Sequence, residues 1–138
     1  MDCTYEEFMQ YIEEEDIKFI RLAFCDVFGT PKNISIMPND LERALKHGIP
    51  INGSFIAGFA EKTMSELFLH PDLSTTTLLP WRPDHGKVIR MFCDITYHDG
   101  TPFEADTRKI LKYVVAKAQE QGIKSKIGRA VQQECRDR

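Results

Sequence analysis

A chain of 138 residues has room for one domain with a core of its own, and 42% hydrophobic with 28% charged residues is the composition of a soluble globular protein. A formal net charge of -3 excludes a broadly basic nucleic-acid surface. No apolar stretch is long enough for a bilayer, and the acidic start Met1-Asp2-Cys3-Thr4-Tyr5-Glu6-Glu7 is no secretory leader, so a cytoplasmic protein with neither membrane nor nucleic-acid partner is expected.

The first segment reads as a helix. Thr4 and Glu7 make a capping box, Tyr5, Phe8, Met9 and Ile12 recur at helical spacing, and Glu13-Glu14-Glu15-Asp16 ends it as a solvated acidic terminus. Residues 17–25 are apolar on both faces, as a central strand requires. A turn at 26–31 leads to a second strand, 33–37, with Ile34 and Ile36 on one face, and the pair predicts a hairpin. Asn39 is placed to cap a second helix with the stripe Leu41, Ala44 and Leu45, stopped by Gly48. Residues 49–65 show no clear period and read as a long loop, functional or mobile.

Short strands are expected at 66–69 and 75–79, divided by Pro71-Asp72. After a turn at 84–86 comes the clearest strand, 88–96, with Ile89, Met91, Cys93 and Ile95 on one face and Arg90, Phe92, Asp94 and Thr96 on the other. Asp106 caps a final helix whose stripe is Ile110, Leu111, Val114, Val115 and Ala118, ended by Gly122. The order predicts an α+β fold, a β-grasp-like mixed sheet with packed helices. The chain divides into an N-terminal helix over 1–16, the β-grasp domain over 17–122, and 123–138 as a truncated start of a further domain or a non-native tail.

Cys3, Cys25, Cys93 and Cys135 have no C-x-x-C spacing and read as reduced thiols, with Cys25 and Cys93 serving as small core residues. The sequons at Asn33 and Asn52 are without consequence in a cytosolic chain. His47, His70, His85 and His98 are scattered surface or turn residues, and there is no phosphate loop, nucleophile elbow or metal-ligand spacing. On its own chemistry the chain carries no complete active site.

Several segments together resemble the N-terminal domain of the glutamine synthetase family. They are Lys18 to Leu22 with Cys25 to Asn33, Ile51 to Phe59, His70-Pro71-Asp72-Leu73, Leu79-Pro80-Trp81, Val88 to Ile95, and Asp99 to Glu104, in the family's order over residues 17–122. The resemblance implies a β-grasp domain preceding a catalytic domain. Such ligases make glutamine from glutamate, ammonium and ATP through γ-glutamyl phosphate, with ATP and Mg2+ or Mn2+ held by the full-length protein and no cofactor by this part. They form homo-oligomeric rings, each active site lying between the N-terminal domain of one subunit and the catalytic domain of its neighbour.

The same resemblance places the loop at Asn52 and Ser54 in the ammonium site. The family carries Asp-Gly-Ser-Ser there, and this chain reads Asn52-Gly53-Ser54-Phe55, matching two of the four positions. A carboxamide neither pairs with a cation as a carboxylate does nor accepts a proton, so Asn52 reads equally as a turn residue or as part of an active-site loop. A γ-glutamyl–amine ligase of the same family and a stand-alone β-grasp interaction module are the alternative functions. Glu134 is a weak counterpart to a downstream metal-ligand motif. Trp81 and Arg90 also fit the family pattern, Trp81 as a packing anchor, while Arg21 and Arg90 are expected to pair with Asp26 or Asp94, or with a neighbouring subunit.

Overall fold

The fold is described by a computed structural model over residues 5–59, 66–81 and 86–124. Helix α1 (Tyr5–Glu14) buries Phe8 and Ile12, one helical turn apart on one face. Its anticipated cap, Thr4, lies outside the described residues. The acidic run beyond it does more than solvate a helix end. Asp16 turns the chain at a φ of 51°, its carboxylate accepts the Gly86 N–H at 3.0 Å, and its carbonyl accepts that of Lys87 at 3.1 Å. Glu15 meets the Lys87 ammonium at 2.6 Å.

Strands β1 (Ile17–Cys25) and β2 (Pro31–Ile36) form the expected antiparallel hairpin, from Ile20 opposite Ile36 to Cys25 opposite Pro31. Asp26, buried to 2% exposure, closes the turn by accepting the N–H groups of Phe28 at 3.0 Å and Thr30 at 2.9 Å on one oxygen. Helix α2 (Leu41–His47) follows, but Asn39 does not cap it. Pro38 starts a 3-10 turn over Pro38–Asp40, which takes Asn39 inside and leaves Asp40 at the cap position, its carboxylate turned to Arg43 at 3.2 Å and making no capping bond. Gly48, at a φ of 74°, ends the helix as expected.

The expected loop at 49–65 begins instead with strand β3 (Ile49–Asn52), paired antiparallel with β4 (Glu66–Pro71). Four residues are too few to display a period, and Pro50 obscures the pattern; an edge strand tolerates it. The strand expected at 75–79 shrinks to β5 (Thr77–Leu78), because Leu73–Thr75 winds into a 3-10 turn. There the Thr75 hydroxyl accepts the Phe92 N–H at 2.8 Å, so a side chain carries the ladder across the gap between β4 and β5.

Both β4 and β5 pair antiparallel with the long strand β6 (Lys87–Thr96), whose other edge pairs parallel with β1. Among the described residues the six-stranded sheet runs β2-β1-β6-β4-β3, with β5 beside β6, a mixed sheet of β-grasp type with three helices. One face forms the core: Ile20, Leu22 and Phe24 of β1 with Ile89, Met91, Cys93 and Ile95 of β6, closed by Phe8 and Ile12 of α1 and Leu41 and Ala44 of α2. Burial of each large side chain contributes about 1.5–3 kcal/mol.

Helix α3 (Thr107–Glu120) begins as its sequence predicts. Asp106 accepts the Arg108 N–H at 3.0 Å and, with its other oxygen, the Ile95 N–H at 3.1 Å. Its apolar stripe, however, does not enter the core: Ile110, Leu111 and Val114 are about half exposed, and no residue of the helix is buried. The core face is already filled by α1 and α2, and α3 meets the opposite face of the sheet near its N-terminus, where Arg108 and Lys112 bind Asp94 of β6. Trp81 is likewise no packing anchor within this chain. It is 68% exposed, and the buried place in that segment is taken by Leu79. No helix among the described residues is long and apolar enough to cross a membrane.

Candidate functional site

The segment singled out by sequence leaves the sheet at the end of β3. Ile49 and Ile51 point into the core and Pro50 and Asn52 away from it, so the strand delivers Asn52 to the surface at the sheet edge. There Asn52 caps a 3-10 turn over Gly53–Phe55: its Oδ1 accepts the Ser54 N–H at 2.9 Å and the Ser54 hydroxyl at 2.5 Å. Asn52 and Ser54 are thus brought together and both are exposed. Phe55 stands 87% exposed beside them.

The chain beyond Phe55 is anchored. Ile56 and Phe59 are buried, and Phe59 lies between Phe24, at 6.5 Å between ring centroids, and Phe103, at 4.9 Å edge-on. Gly58, at a φ of 80°, lets the loop press against Val27 of the β1–β2 turn; a Cβ there would lie 2.3 Å from a Val27 methyl. The loop therefore offers a carboxamide, a hydroxyl and an aromatic ring beside the buried Ile56 and Phe59.

Sequence reasoning missed a second polar centre. Arg108 of α3 reaches Asp72 Oδ2 at 2.5 Å and Asp94 Oδ1 at 2.9 Å, and Lys112 meets Asp94 at 2.8 Å. Asp72 also caps its own turn, accepting the Ser74 N–H at 3.0 Å and hydroxyl at 2.6 Å. The Arg108 guanidinium and the Ser74 hydroxyl hold the Asp72 carboxyl at about 2, below its ordinary 3.8. The only signals in the sequence were the Asp-x-Ser spacing and an arginine two residues past a helix cap.

This network also disposes of the pairs expected for Arg21 and Arg90. Asp94 is engaged by α3, while Asp26 is committed to its turn with Lys32 at 3.9 Å. Among the described residues, neither arginine has a carboxylate partner. Of the histidines, His47 is exposed, and His70 sits 3.1 Å from the Thr96 hydroxyl with its pKa lowered by burial. His98 meets Phe68 edge-on at 5.6 Å. Cys93 is buried, Cys25 is partly so, and both are free thiols. His85, Cys3, Cys135, Glu134 and the whole of 125–138 lie outside the described residues.

The family of the glutamine synthetase β-grasp domain matches residues 16–98. The chain belongs to that family. A glutamine synthetase of Clostridium saccharobutylicum is 43% identical over 125 residues, covering 91% of this chain and 28% of that protein. One of Staphylococcus aureus (strain Mu50 / ATCC 700699) is 40% identical over 119 residues, covering 86% and 27%. This glutamine synthetase β-grasp domain thus spans little more than a quarter of the curated relatives it matches.

Among solved structures, the cryo-EM structure of Plasmodium falciparum glutamine synthetase superposes with a TM-score of 0.73 at 21% identity, over 87% of this chain and 23% of that one. GmaS in complex with ADP gives 0.69 at 22% identity, over 82% and 25%. These two likenesses establish the fold of the glutamine synthetase β-grasp domain and nothing further. Its described residues contain no group of three or more His, Cys, Asp and Glu side chains placed to hold a metal ion. They do not fit the metal that the family resemblance implies, and no chemical step is assigned through a metal or nucleotide on these residues.

Proposed function

We propose that the chain is the N-terminal part of an ATP-dependent ligase that joins glutamate and ammonium into glutamine through γ-glutamyl phosphate. The observation that supports this most is 43% identity to a glutamine synthetase along 91% of the chain. On this reading ATP and Mg2+ or Mn2+ belong to a catalytic domain elsewhere in the full-length polypeptide, and a neighbouring subunit of a homo-oligomeric ring faces the Asn52–Ser54 loop. The chain alone is then inactive, because phosphoryl transfer needs metal and phosphate ligands it does not supply.

A chimera tests this. Residues 16–122 replace the matching segment of the Clostridium saccharobutylicum protein, and ATP- and glutamate-dependent incorporation of ammonium is measured. Glutamine formation by the chimera and none by the isolated chain is the expected result. An assembled chimera without turnover, or turnover by the isolated chain, refutes the proposal.

The second reading, a larger amine as acceptor, is favoured by one observation. Asn52 has no carboxylate, and its Oδ1 already accepts two bonds from Ser54, so it offers ammonium neither a counter-charge nor a base. In the chimera, Asn52→Asp should then raise kcat/KM for ammonium relative to a panel of alkylamines. If ammonium use is unchanged and no amine is preferred with Asn52 in place, the amine reading fails.

A further inference from the structure

The sheet has one filled face and one open face. Its central pair, β1 and β6, is parallel. On the open face, the register sets Phe19 beside Val88, Arg21 beside Arg90, and Ala23 beside Phe92. Ser35 of β2 flanks Arg21, and Thr77 of β5 flanks Arg90. Two arginines therefore stand in register on neighbouring strands in the middle of the sheet.

Like charges directly in register repel, and such an arrangement persists at a cost unless an anion bridges it. Among the described residues, neither arginine has a carboxylate partner, and Arg90 Nε is buried without any hydrogen-bond acceptor. The Arg90 guanidinium lies 4.6 Å from the centre of the Phe92 ring, which orients it without neutralising it. Carboxylate is the group that matches this donor set, because its two oxygens accept the parallel N–H groups of a planar guanidinium.

The surroundings favour a polypeptide as the carrier of that carboxylate. The hollow beside the pair, about 230 Å³ and lined by Phe19, Arg21, Ser35 and Val88, is shallow. Further along the same two strands, a largely apolar groove of about 310 Å³ lies between the sheet and α3, lined by Phe24, Cys25, Phe92, Cys93 and Leu111 among others. Ile110 and Val114 extend the uncovered apolar surface along that helix. The matched relatives carry most of their length outside the aligned region, since the alignment takes only 28% of the Clostridium protein.

We propose that the open face is an interface centred on the Arg21–Arg90 pair, and that it receives an Asp- or Glu-bearing segment of the remaining ligase polypeptide. This rests on the function proposed above. Two preparations test it, the isolated chain and the chimera, each with and without Arg21→Met and Arg90→Met together. In the isolated chain no carboxylate partner is lost, and relief of the repulsion offsets loss of the Arg90–Phe92 contact, so Tm should hold or rise, and sedimentation should show a monomer. In the chimera the same substitutions should raise the dissociation constant of the assembly by roughly tenfold or more.

A Tm several degrees lower in the isolated variant would assign the arginines to the chain's own fold. An isolated chain that dimerises, and ceases to on substitution, would put a second copy on this face. An assembled chimera indifferent to the substitutions would remove the carboxylate. A chimera that fails to assemble with its arginines intact would leave the face without its proposed occupant. Each overturns the inference, whereas a chimera that assembles through the arginines but makes no glutamine overturns only the proposed function.

Discussion

Gly58→Ala should destabilise the chain by about 2–5 kcal/mol, through two separable effects. Gly58 has a φ of 80°, a conformation that costs a residue with a Cβ about 1–2 kcal/mol. The added Cβ would also lie 2.3 and 2.5 Å from the two γ-methyls of Val27 and 3.0 Å from its Cβ. Rotating χ1 does not clear it, since the methyls straddle the position and the branch point itself is in the way. Overpacking of this kind costs about 1–3 kcal/mol.

Val27 is 43% exposed, so Val27→Ala alone should cost well under 1 kcal/mol. Combined with Gly58→Ala it removes both methyls, and the pair should be less destabilised than the sum of the singles by about 1–2 kcal/mol, leaving the backbone term and the remaining tight contact with the Cβ of residue 27. Urea titration of the four variants measures this, with a constant m-value as the check that only stability has changed. A Gly58→Ala variant within about 0.5 kcal/mol of the parent, or strict additivity in the cycle, would refute the claim that the Asn52 loop is braced against the hairpin turn.

Asp106→Ala strips the acceptor from two N–H groups, one of them the buried amide of Ile95, and should lower stability by about 2–4 kcal/mol in the same titration, with Asp106→Asn milder. Burial pushes the Cys93 thiol up to about 12, so iodoacetamide at neutral to mildly alkaline pH should leave it unmodified in the folded chain and label it on unfolding, read by peptide mass mapping. Asp72, held at about 2 against an ordinary 3.8, favours folding while ionised. Its contribution, about 1 kcal/mol after solvent screening, is fully present above that ordinary value and lost as pH falls through about 2. Asp72→Asn should flatten the stability profile over that interval. Asn52→Asp should leave the urea midpoint of the chain unchanged, because the aspartate oxygen serves the Ser54 turn equally well.

The parts of the fold that were legible in the sequence are those decided locally. Phe8 and Ile12 share a helix face, Asp106 stands before a helix it caps, and the alternation of Ile89, Met91, Cys93 and Ile95 marks a strand buried on one face. Short or competing signals were not legible. Pro38 shifts the helix start away from Asn39, and β3 has only four residues, one of them proline. The stripe on α3 was legible as apolar but not as uncovered, since amphipathicity says which side avoids water and not what lies against it. The Arg108–Asp72 bridge joins residues 36 apart in the chain, a distance no local pattern spans.

The chain contains the same turn twice, and the comparison isolates what is special about position 52. Asn52 with Ser54 and Asp72 with Ser74 both place an Asx oxygen on the N–H and hydroxyl of a serine two residues on, opening a 3-10 turn at the end of a strand. At 72 the second carboxylate oxygen is used, by Arg108 from another element. At 52 the turn is satisfied by a neutral carboxamide. Backbone geometry therefore tolerates either residue at either place, and the fold does not dictate the choice at 52. Whatever selects Asn over Asp there acts from outside the turn, on the exposed side that the loop presents together with Ser54 and Phe55. Asn52 is thus a residue whose substitution reports on chemistry with little change in architecture.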